Sequence, residues 1–204
     1  MSGEAQTETT PVTPGLAEAG LDYSFKPSLM GAPFAFRLQP EGLEWSRGRH
    51  HGLIGYRDIT RLRLSYRPVT MQTARYQLEI WSRGMPRLAV ISGSWRSIVE
   101  MQPQGPAYRA FVTALHRRLA AAGATPRCER GIAAPLYWIG AAILGATALG
   151  LAALGVRALQ AQAWGGAAFI AAFLAVFLWQ AGNFFGRNRP GRYPLNEPPA
   201  ALLP

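Results

Sequence analysis

The residues best placed to do chemistry in this chain are arginines that alternate with leucines. Arg61 and Arg63 are separated by one residue, so both guanidinium groups would leave the same face of a strand. Arg47 and Arg49 flank a glycine turn and could extend that face. Guanidinium groups bind phosphate, and a cation close to an anionic membrane surface is attracted by about 1 kcal/mol. These four arginines are therefore candidates for contact with an anionic lipid surface; the alternative is that they are solvated strand faces.

Other reactive side chains do not form a recognisable catalytic or metal-binding pattern. His50 and His51 are adjacent, and adjacent residues of a strand point to opposite faces. His116 has no cysteine or carboxylate partner in the sequence pattern, and Cys128 has no second thiol with which to form a disulfide. We therefore expect a non-enzymatic protein that uses neither a metal ion nor a cofactor.

The charge balance points to anionic partners. Between residues 34 and 122 the chain has fourteen arginines but five acidic residues. Such a basic domain would be attracted to anionic phospholipids beneath a membrane. Nucleic acid is the other polyanion that a basic domain can meet, but no recognition motif supports it and a membrane anchor disfavours it. We expect membrane lipids and an unidentified protein as partners, with a homo-oligomer as an open alternative.

Two long uncharged stretches predict a pair of transmembrane helices. Residues 132–156 and 163–185 contain no charged side chain. At a rise of about 1.5 Å per residue, each is long enough to cross a hydrocarbon core of about 30 Å. Residues 157–162 are the only connection, so the helices would form a tight hairpin with a short external loop. A buried hairpin in a soluble helical protein is the alternative, but the many glycines disfavour a water-soluble helix.

Small residues recur at a spacing of four in both stretches, which would place them on one face of each helix. Such faces allow transmembrane helices to approach closely. The helix-packing candidates are Ala142, Ala146 and Gly150 in the first helix and Ala167, Ala171 and Ala175 in the second. Gln180 and Asn183, near the inner end of the second helix, could hydrogen-bond the first helix or a second protomer.

The distribution of arginine predicts the orientation of the hairpin. The arginines that flank the two stretches are Arg117, Arg118, Arg127, Arg130, Arg187, Arg189 and Arg192. The connecting loop contains only Arg157. Because cytoplasmic flanks carry the excess of positive charge, both termini should be cytoplasmic in a multi-pass protein of the cell inner membrane. The first 32 residues contain no apolar segment typical of a signal peptide.

The residues before the hairpin predict a small antiparallel β-domain. Residues 1–32 are rich in proline, glycine and glutamate and predict a disordered arm. Residues 33–123 contain short alternating runs separated by turns, which is typical of an antiparallel sandwich or barrel. Residues 124–131 would be a linker, and residues 186–204 a basic, proline-rich cytoplasmic tail. The predicted fold class is α+β.

One amphipathic helix should close this domain. Its apolar stripe is spaced at i, i+3, i+4, i+7 and i+11 and consists of Tyr108, Phe111, Val112, Leu115 and Leu119. Packing of such a stripe on the domain core is the usual explanation. An interfacial helix that lies on the bilayer is the alternative.

A small antiparallel β-domain closed by one C-terminal helix resembles the pleckstrin-homology (PH) superfold. The run from Gly52 to Ile59, with hydrophobic residues at 62 and 64, is similar to the I-x-Y-x-D-I-x-x-hydrophobic run of bacterial PH-like domains. Several such domains precede transmembrane hairpins. The resemblance covers residues 33–123. The first turn, Gln39-Pro40-Glu41-Gly42, lacks the basic residues of phosphoinositide-binding PH domains, so that site is not expected here.

The expected function is that of a membrane-anchored adaptor. The PH-like domain would bind a protein or an anionic lipid surface at the cytoplasmic face. The alternative is an accessory or assembly subunit of a membrane enzyme or transport complex, which the hairpin would contact.

Overall fold

The computed structural model describes residues 22–28, 31–68, 74–96 and 101–204. The part of the predicted arm that precedes residue 22 lies outside the described residues. The strands are β1 (Asp22–Phe25), β2 (Phe34–Leu38), β3 (Gly42–Arg47), β4 (His50–Gly55), β5 (Ile59–Tyr66), β6 (Tyr76–Ser82), β7 (Leu88–Ile91), β8 (Gly93–Trp95), β9 (Met101–Pro103), β10 (Arg127–Arg130) and β11 (Gly191–Arg192). The helices are α1 (Gly105–Ala121), α2 (Ala134–Gln160) and α3 (Trp164–Arg187), with 3-10 turns at Tyr56–Asp58 and Ala200–Leu202.

The first sheet is an antiparallel meander of β1, β2, β3 and β4. Alternate side chains of these strands, such as Phe36, Leu38 and Trp45, are buried, as the period of a strand requires. The turn between β3 and β4 needs a left-handed residue, and Gly48 supplies it with a φ of +59°. The alternating runs of the sequence therefore correspond to real strands of this sheet.

β1 lies inside the segment that the sequence analysis assigned to a disordered arm. Its Tyr23 and Phe25 are buried and stack on Phe111 and Phe36, with ring centroids 5.6 and 6.1 Å apart. The Tyr23 hydroxyl donates a 2.7 Å hydrogen bond to the carbonyl of Ile91. The structure thus differs from the predicted boundary at residue 32. The sequence did not predict this strand because only two alternating buried residues mark it, in a segment rich in proline and glycine, and so short a pattern does not indicate a strand.

The second sheet has the strand order β11-β10-β5-β6-β7. β5, β6 and β7 are consecutive antiparallel neighbours, whereas β10 comes from beyond α1 and pairs parallel to β5. The inner face of this sheet is apolar, since Leu62, Leu64, Leu78 and Val90 are all 0% exposed. The two sheets and α1 share this single core. A small separate ribbon pairs β8 with β9.

α1 closes the core with the stripe that the sequence predicted. Tyr108, Phe111, Leu115 and Leu119 are all 0% exposed. The chain leaves the helix through Gly123, whose φ of +66° suits a helix terminator. A stripe so deeply buried in the domain is not free to lie on a bilayer, so the structure favours core packing over the interfacial alternative.

The segment after the hairpin returns to the domain and completes it. β11 pairs antiparallel with β10, and the 3-10 turn beyond it buries Leu202 and Leu203 in the core. Arg109 of α1 donates a 2.5 Å hydrogen bond from Nε to the carbonyl oxygen of Pro204. The structure therefore differs from the predicted linker at 124–131 and tail at 186–204, because both add a strand to the second sheet. Neither strand is long enough to show alternation in the sequence.

α2 and α3 form the predicted helical hairpin. Their mean hydropathies are 2.0 and 1.7, and both are long and apolar enough to cross a membrane. Large apolar side chains are exposed along them, including Leu149 at 74%, Phe169 at 72% and Trp179 at 74%. Apolar exposure on this scale is typical of a surface that water does not contact. The predicted α+β fold with antiparallel sheets followed by two apolar helices is thus confirmed.

Two glycines allow α2 and α3 to approach each other. A Cβ added to Gly140 would lie 3.2 Å from the Phe185 ring, and one added to Gly155 would lie 3.4 Å from Ile170. These contacts mark the face of α2 that packs on α3. A Cβ on Gly150 would meet open space, so this glycine is not used in the hairpin.

The predicted helix-packing residues divide between the inside and the outside of the hairpin. Ala167 is buried, at 8% exposure. The exposed candidates are Ala142, Ala146, Gly150, Ala171 and Ala175. Ala171 lines a groove between α2 and α3. Packing of the other four residues against a neighbouring helix stays a prediction.

Candidate membrane-facing site

The hairpin leaves the domain beside the paired ends of β5 and β6. Asn188, which directly follows α3, is 0% exposed. Its Nδ2 donates a 2.7 Å hydrogen bond to the carbonyl of Tyr66, and its Oδ1 accepts a 3.0 Å bond from the N–H of the same residue. The side-chain amide therefore bonds to β5 as a neighbouring strand would, and it ties the end of α3 to the sheet.

The start of α2 is tied to the sheet by backbone hydrogen bonds. The N–H of Gly131 donates to the carbonyl of Leu64 at 2.8 Å, and that of Ile132 donates to the carbonyl of Asn188 at 3.2 Å. Gly131 has a φ of +76°, and an added Cβ would collide with the carbonyl oxygen of Asn188. The segment that enters the hairpin and the segment that leaves it are thus in close backbone contact. A flexible linker would not make such contacts.

Arg187, the last residue of α3, lies over this junction. Its Nη1 donates to the Tyr76 hydroxyl at 3.2 Å, and its Nε donates to Oδ1 of Asn183 at 3.1 Å. The guanidinium group also lies 5.0 Å from the centre of the Tyr66 ring. Asn183 therefore accepts a hydrogen bond within its own helix. A hydrogen bond from Asn183 to a second protomer stays a prediction.

Arg67 and Arg75 flank the same ends of β5 and β6. The N–H of Arg67 donates to the carbonyl of Arg75 at 2.7 Å. Within the described part of the chain, the Nε of Arg75 is buried and has no hydrogen-bond partner. Burial, followed by the proximity of Arg67, lowers the pKa of Arg75. Arg67, Arg75 and Arg187 are termed the junction arginines below.

Arg61 and Arg63 share the outer face of β5, as the sequence predicts, but a carboxylate lies between them. Arg63 donates to Oε2 of Glu129 from Nε at 3.1 Å and from Nη2 at 2.5 Å. Arg61 is 4.0 Å from the same oxygen and stacks 3.8 Å from the Trp81 ring centre. Glu129 belongs to β10, a strand that the sequence did not indicate, so this pairing could not be foreseen.

Charges alternate in sign across neighbouring strands of this outer face. Arg192 lies opposite Glu129, Glu129 opposite Arg63, and Arg63 opposite Glu79. The Glu79 side chain is 1% exposed and accepts a 2.9 Å bond from Arg87. Opposite charges at facing positions stabilise strand pairing. The carboxylates thus offset much of the positive charge that the sequence assigned to this face.

Arg47 and Arg49 lie on the first sheet, away from the strand that carries Arg61 and Arg63. The Arg47 guanidinium lies 5.2 Å from the centre of the Phe34 ring and lines a cavity of about 410 Å³. Arg49 is exposed in the turn between β3 and β4. The structure therefore distributes the four predicted arginines over two sheets.

A buried polar cluster links α1 to the segment that follows the hairpin. Nδ1 of His116 is 2.7 Å from the Val112 carbonyl oxygen, and Nε2 is 3.1 Å from the Tyr193 hydroxyl. This geometry fits a neutral imidazole that donates from Nδ1 and accepts at Nε2. Burial lowers the pKa of His116 and raises the pKa of nearby Cys128 to about 11. His116 and Tyr193 are 77 positions apart, so no sequence pattern connects them.

Acid should destabilise the domain through His116. In the folded state, burial lowers the pKa of His116 below its ordinary value of 6.5. The unfolded chain therefore takes up the proton first as the pH falls. The contribution of His116 to stability is therefore full above 6.5 and is lost below that pH. The free energy of unfolding, measured in urea, should be lower at about pH 5.5 than at about pH 7.5, and this difference should be smaller in His116→Gln than in the unmodified chain. The same decrease in that variant would assign the pH dependence to other groups.

Within the described residues, no three histidine, cysteine, aspartate or glutamate side chains are grouped so that they could hold a metal ion. The chain matches no family model, no curated protein and no solved structure. The functional interpretation therefore depends on the geometry and charge of the junction itself.

Proposed function

We propose that this chain is a non-enzymatic, multi-pass protein of the cell inner membrane. It presents a basic PH-like domain at the cytoplasmic face, where the domain binds an anionic lipid surface or a protein. The observation that carries the proposal is the insertion of the hairpin between β10 and β11, two paired strands of one sheet. Because these strands are neighbours, both ends of the hairpin belong on the same side of a membrane.

The order of elements supports the PH-like assignment. A four-stranded antiparallel meander is followed by the antiparallel strands β5, β6 and β7, by the short ribbon of β8 and β9 and then by a closing helix. The sequence resemblance implies a β-domain with one C-terminal helix, and this order of elements is compatible with it. β10 and β11 are additions at the edge of the second sheet, and they are the strands that carry the hairpin.

The charge distribution supports a cytoplasmic location of the domain. The arginines that flank the hairpin lie on the domain side, whereas Arg157 is the only charged residue near the connecting turn. Cytoplasmic flanks of transmembrane helices carry the excess of positive charge. Both the domain and the segment that follows the hairpin would then face the cytoplasm.

Cysteine labelling should place the connecting turn outside the membrane and the domain inside. We expect Gln160→Cys to react with a membrane-impermeant maleimide in intact cells, because the residue ends α2 and is exposed. Arg83→Cys, in an exposed turn of the domain, should react only after permeabilisation. The native Cys128 is only 5% exposed, and labelling of the chain without an introduced cysteine measures how much this thiol contributes to the signal. The opposite pattern would contradict the orientation.

An accessory subunit of a membrane enzyme or transport complex is the second candidate. It is favoured by the exposed small residues of α2, Ala142, Ala146 and Gly150, which could receive a helix of another protein. Copurification in a mild detergent separates the two candidates. A stoichiometric membrane partner would favour the subunit, and an isolated lipid-bound protein would favour the adaptor.

A further inference from the structure

The junction arginines lie where the headgroups of a bilayer would be. α2 and α3 contain 27 and 24 residues, which makes them about 40 and 36 Å long. A hydrocarbon core is about 30 Å thick, so several ångströms of each helix would extend into the headgroup region. Arg187 ends α3 and contacts Tyr66 and Tyr76, which are the sequence neighbours of Arg67 and Arg75. All three residues therefore belong to the membrane end of the domain, but Arg67 and Arg75 leave the face of the strand pair opposite to Tyr66 and Tyr76, which Arg187 contacts.

The positive charge of Arg75 and Arg187 is not compensated in the described part of the chain. Arg187 donates to the neutral oxygens of Asn183 and Tyr76. The ion pairs formed among the described residues include neither Arg75 nor Arg187. The Nε of Arg75 is also buried without a partner. A buried guanidinium N–H without an acceptor is costly, and an anion would supply that acceptor.

Arg67 places a second cation beside Arg75. Its Nη2 is 3.9 Å from Oε1 of Glu79, but that oxygen already accepts a 2.9 Å bond from Arg87. Two guanidinium groups at the end of one strand pair repel each other and would be stabilised by a shared anion. The other acidic residue of this face, Glu129, is paired to Arg63.

We propose that Arg67 and Arg75 bind the phosphate group of an anionic phospholipid in the leaflet that the hairpin enters. The proposal rests on the membrane insertion given under the proposed function. Guanidinium groups can donate two parallel hydrogen bonds to a phosphate, which makes arginine well suited to this contact. A lipid is favoured over a soluble anion because the hairpin holds the arginines at headgroup level. Arg61 and Arg63, the pair indicated by the sequence, are engaged with Glu129 instead.

Lipid binding by the full chain in a neutral detergent tests the proposal. The probe is short-chain phosphatidylglycerol, and native mass spectrometry gives its dissociation constant. Arg67→Gln/Arg75→Gln should weaken binding roughly thirtyfold, since each well-placed cation contributes about fivefold. The matched control, Arg83→Gln/Arg96→Gln, removes the same charge from two exposed positions outside the junction and should leave the affinity unchanged.

Two further ligands identify the source of the phosphate. Short-chain phosphatidylcholine should bind much more weakly than phosphatidylglycerol, and equimolar inorganic phosphate should not displace the anionic lipid. Equal binding of both lipids, displacement by phosphate, or an equal loss in the control variant would overturn the lipid site, provided that urea unfolding shows each variant to be folded. Recovery of the chain in the aqueous fraction without detergent would instead overturn membrane insertion itself.

Discussion

Truncation after Pro199 should unfold the β-domain under conditions in which the intact chain is folded. The deletion removes Leu202 and Leu203, which are 2% and 9% exposed in the core. Burial of a leucine side chain contributes about 1.5–3 kcal/mol, so the free energy of unfolding should fall by about 3–6 kcal/mol. The deletion also removes the carbonyl group to which Arg109 donates. A loss of this size is comparable with the total of about 5–15 kcal/mol that stabilises a typical domain.

Urea unfolding in a mild detergent, followed by a brief trypsin digestion, would measure this loss. The domain is rich in arginine, so unfolding exposes tryptic sites while the apolar helices stay in the micelle. Leu202→Ala should reduce the free energy of unfolding by about 2–5 kcal/mol. Ala201→Ser changes an exposed neighbour and should have no effect. An unchanged midpoint in the truncated chain would show that the segment after the hairpin is dispensable for the core.

Replacement of Asn188 by leucine should loosen the hairpin from the sheet. Leucine has the same number of side-chain heavy atoms and the same branching, but both hydrogen bonds to the Tyr66 backbone, at 2.7 and 3.0 Å, would be lost. An unpaired backbone group costs about 1–3 kcal/mol, so the loss of both bonds should lower the free energy of unfolding by about 2–6 kcal/mol. Local opening of the junction should follow, because these bonds connect α3 directly to β5.

Trypsin cleavage after Arg130 in the absence of urea reports on that opening. Arg130 directly precedes Gly131, which donates to the carbonyl of Leu64 in the closed junction. The matched control is Asn196→Leu, the same change at an exposed asparagine of the same segment. Equal cleavage rates in the two variants would mean that the Asn188 amide does not hold the junction.

The features that the sequence predicts well are long or periodic. The stripe on α1 repeats over several helical turns, and its members, including Phe111 and Leu115, are buried as expected. The two uncharged stretches are long enough that their helices are recognisable from composition alone. The alternating runs identify an antiparallel class because strands such as β2 bury one of their two faces.

The features that the sequence does not reveal depend on pairing between distant residues. Arg63 and Glu129 are 66 positions apart, so no local pattern pairs the charge of Arg63 with a carboxylate until β10 is placed beside β5. Tyr66 and Asn188 are 122 positions apart, and a single asparagine after an apolar helix has no local pattern. The role proposed for Arg67 and Arg75 depends on which end of the sheet carries the hairpin, and only the point at which the hairpin leaves the domain reveals that end.

The position of the hairpin between β10 and β11 also determines the order in which the protein can be made. A ribosome synthesises both apolar helices before it reaches Leu202 and Leu203, so the hairpin is complete while the β-domain still lacks part of its core. Until those two leucines arrive, the core surface that they cover is open to water. Under the proposed membrane insertion, the hairpin would enter the bilayer while this part of the core is still uncovered. A chain that stalls at this step would expose an unfinished core to quality-control proteases.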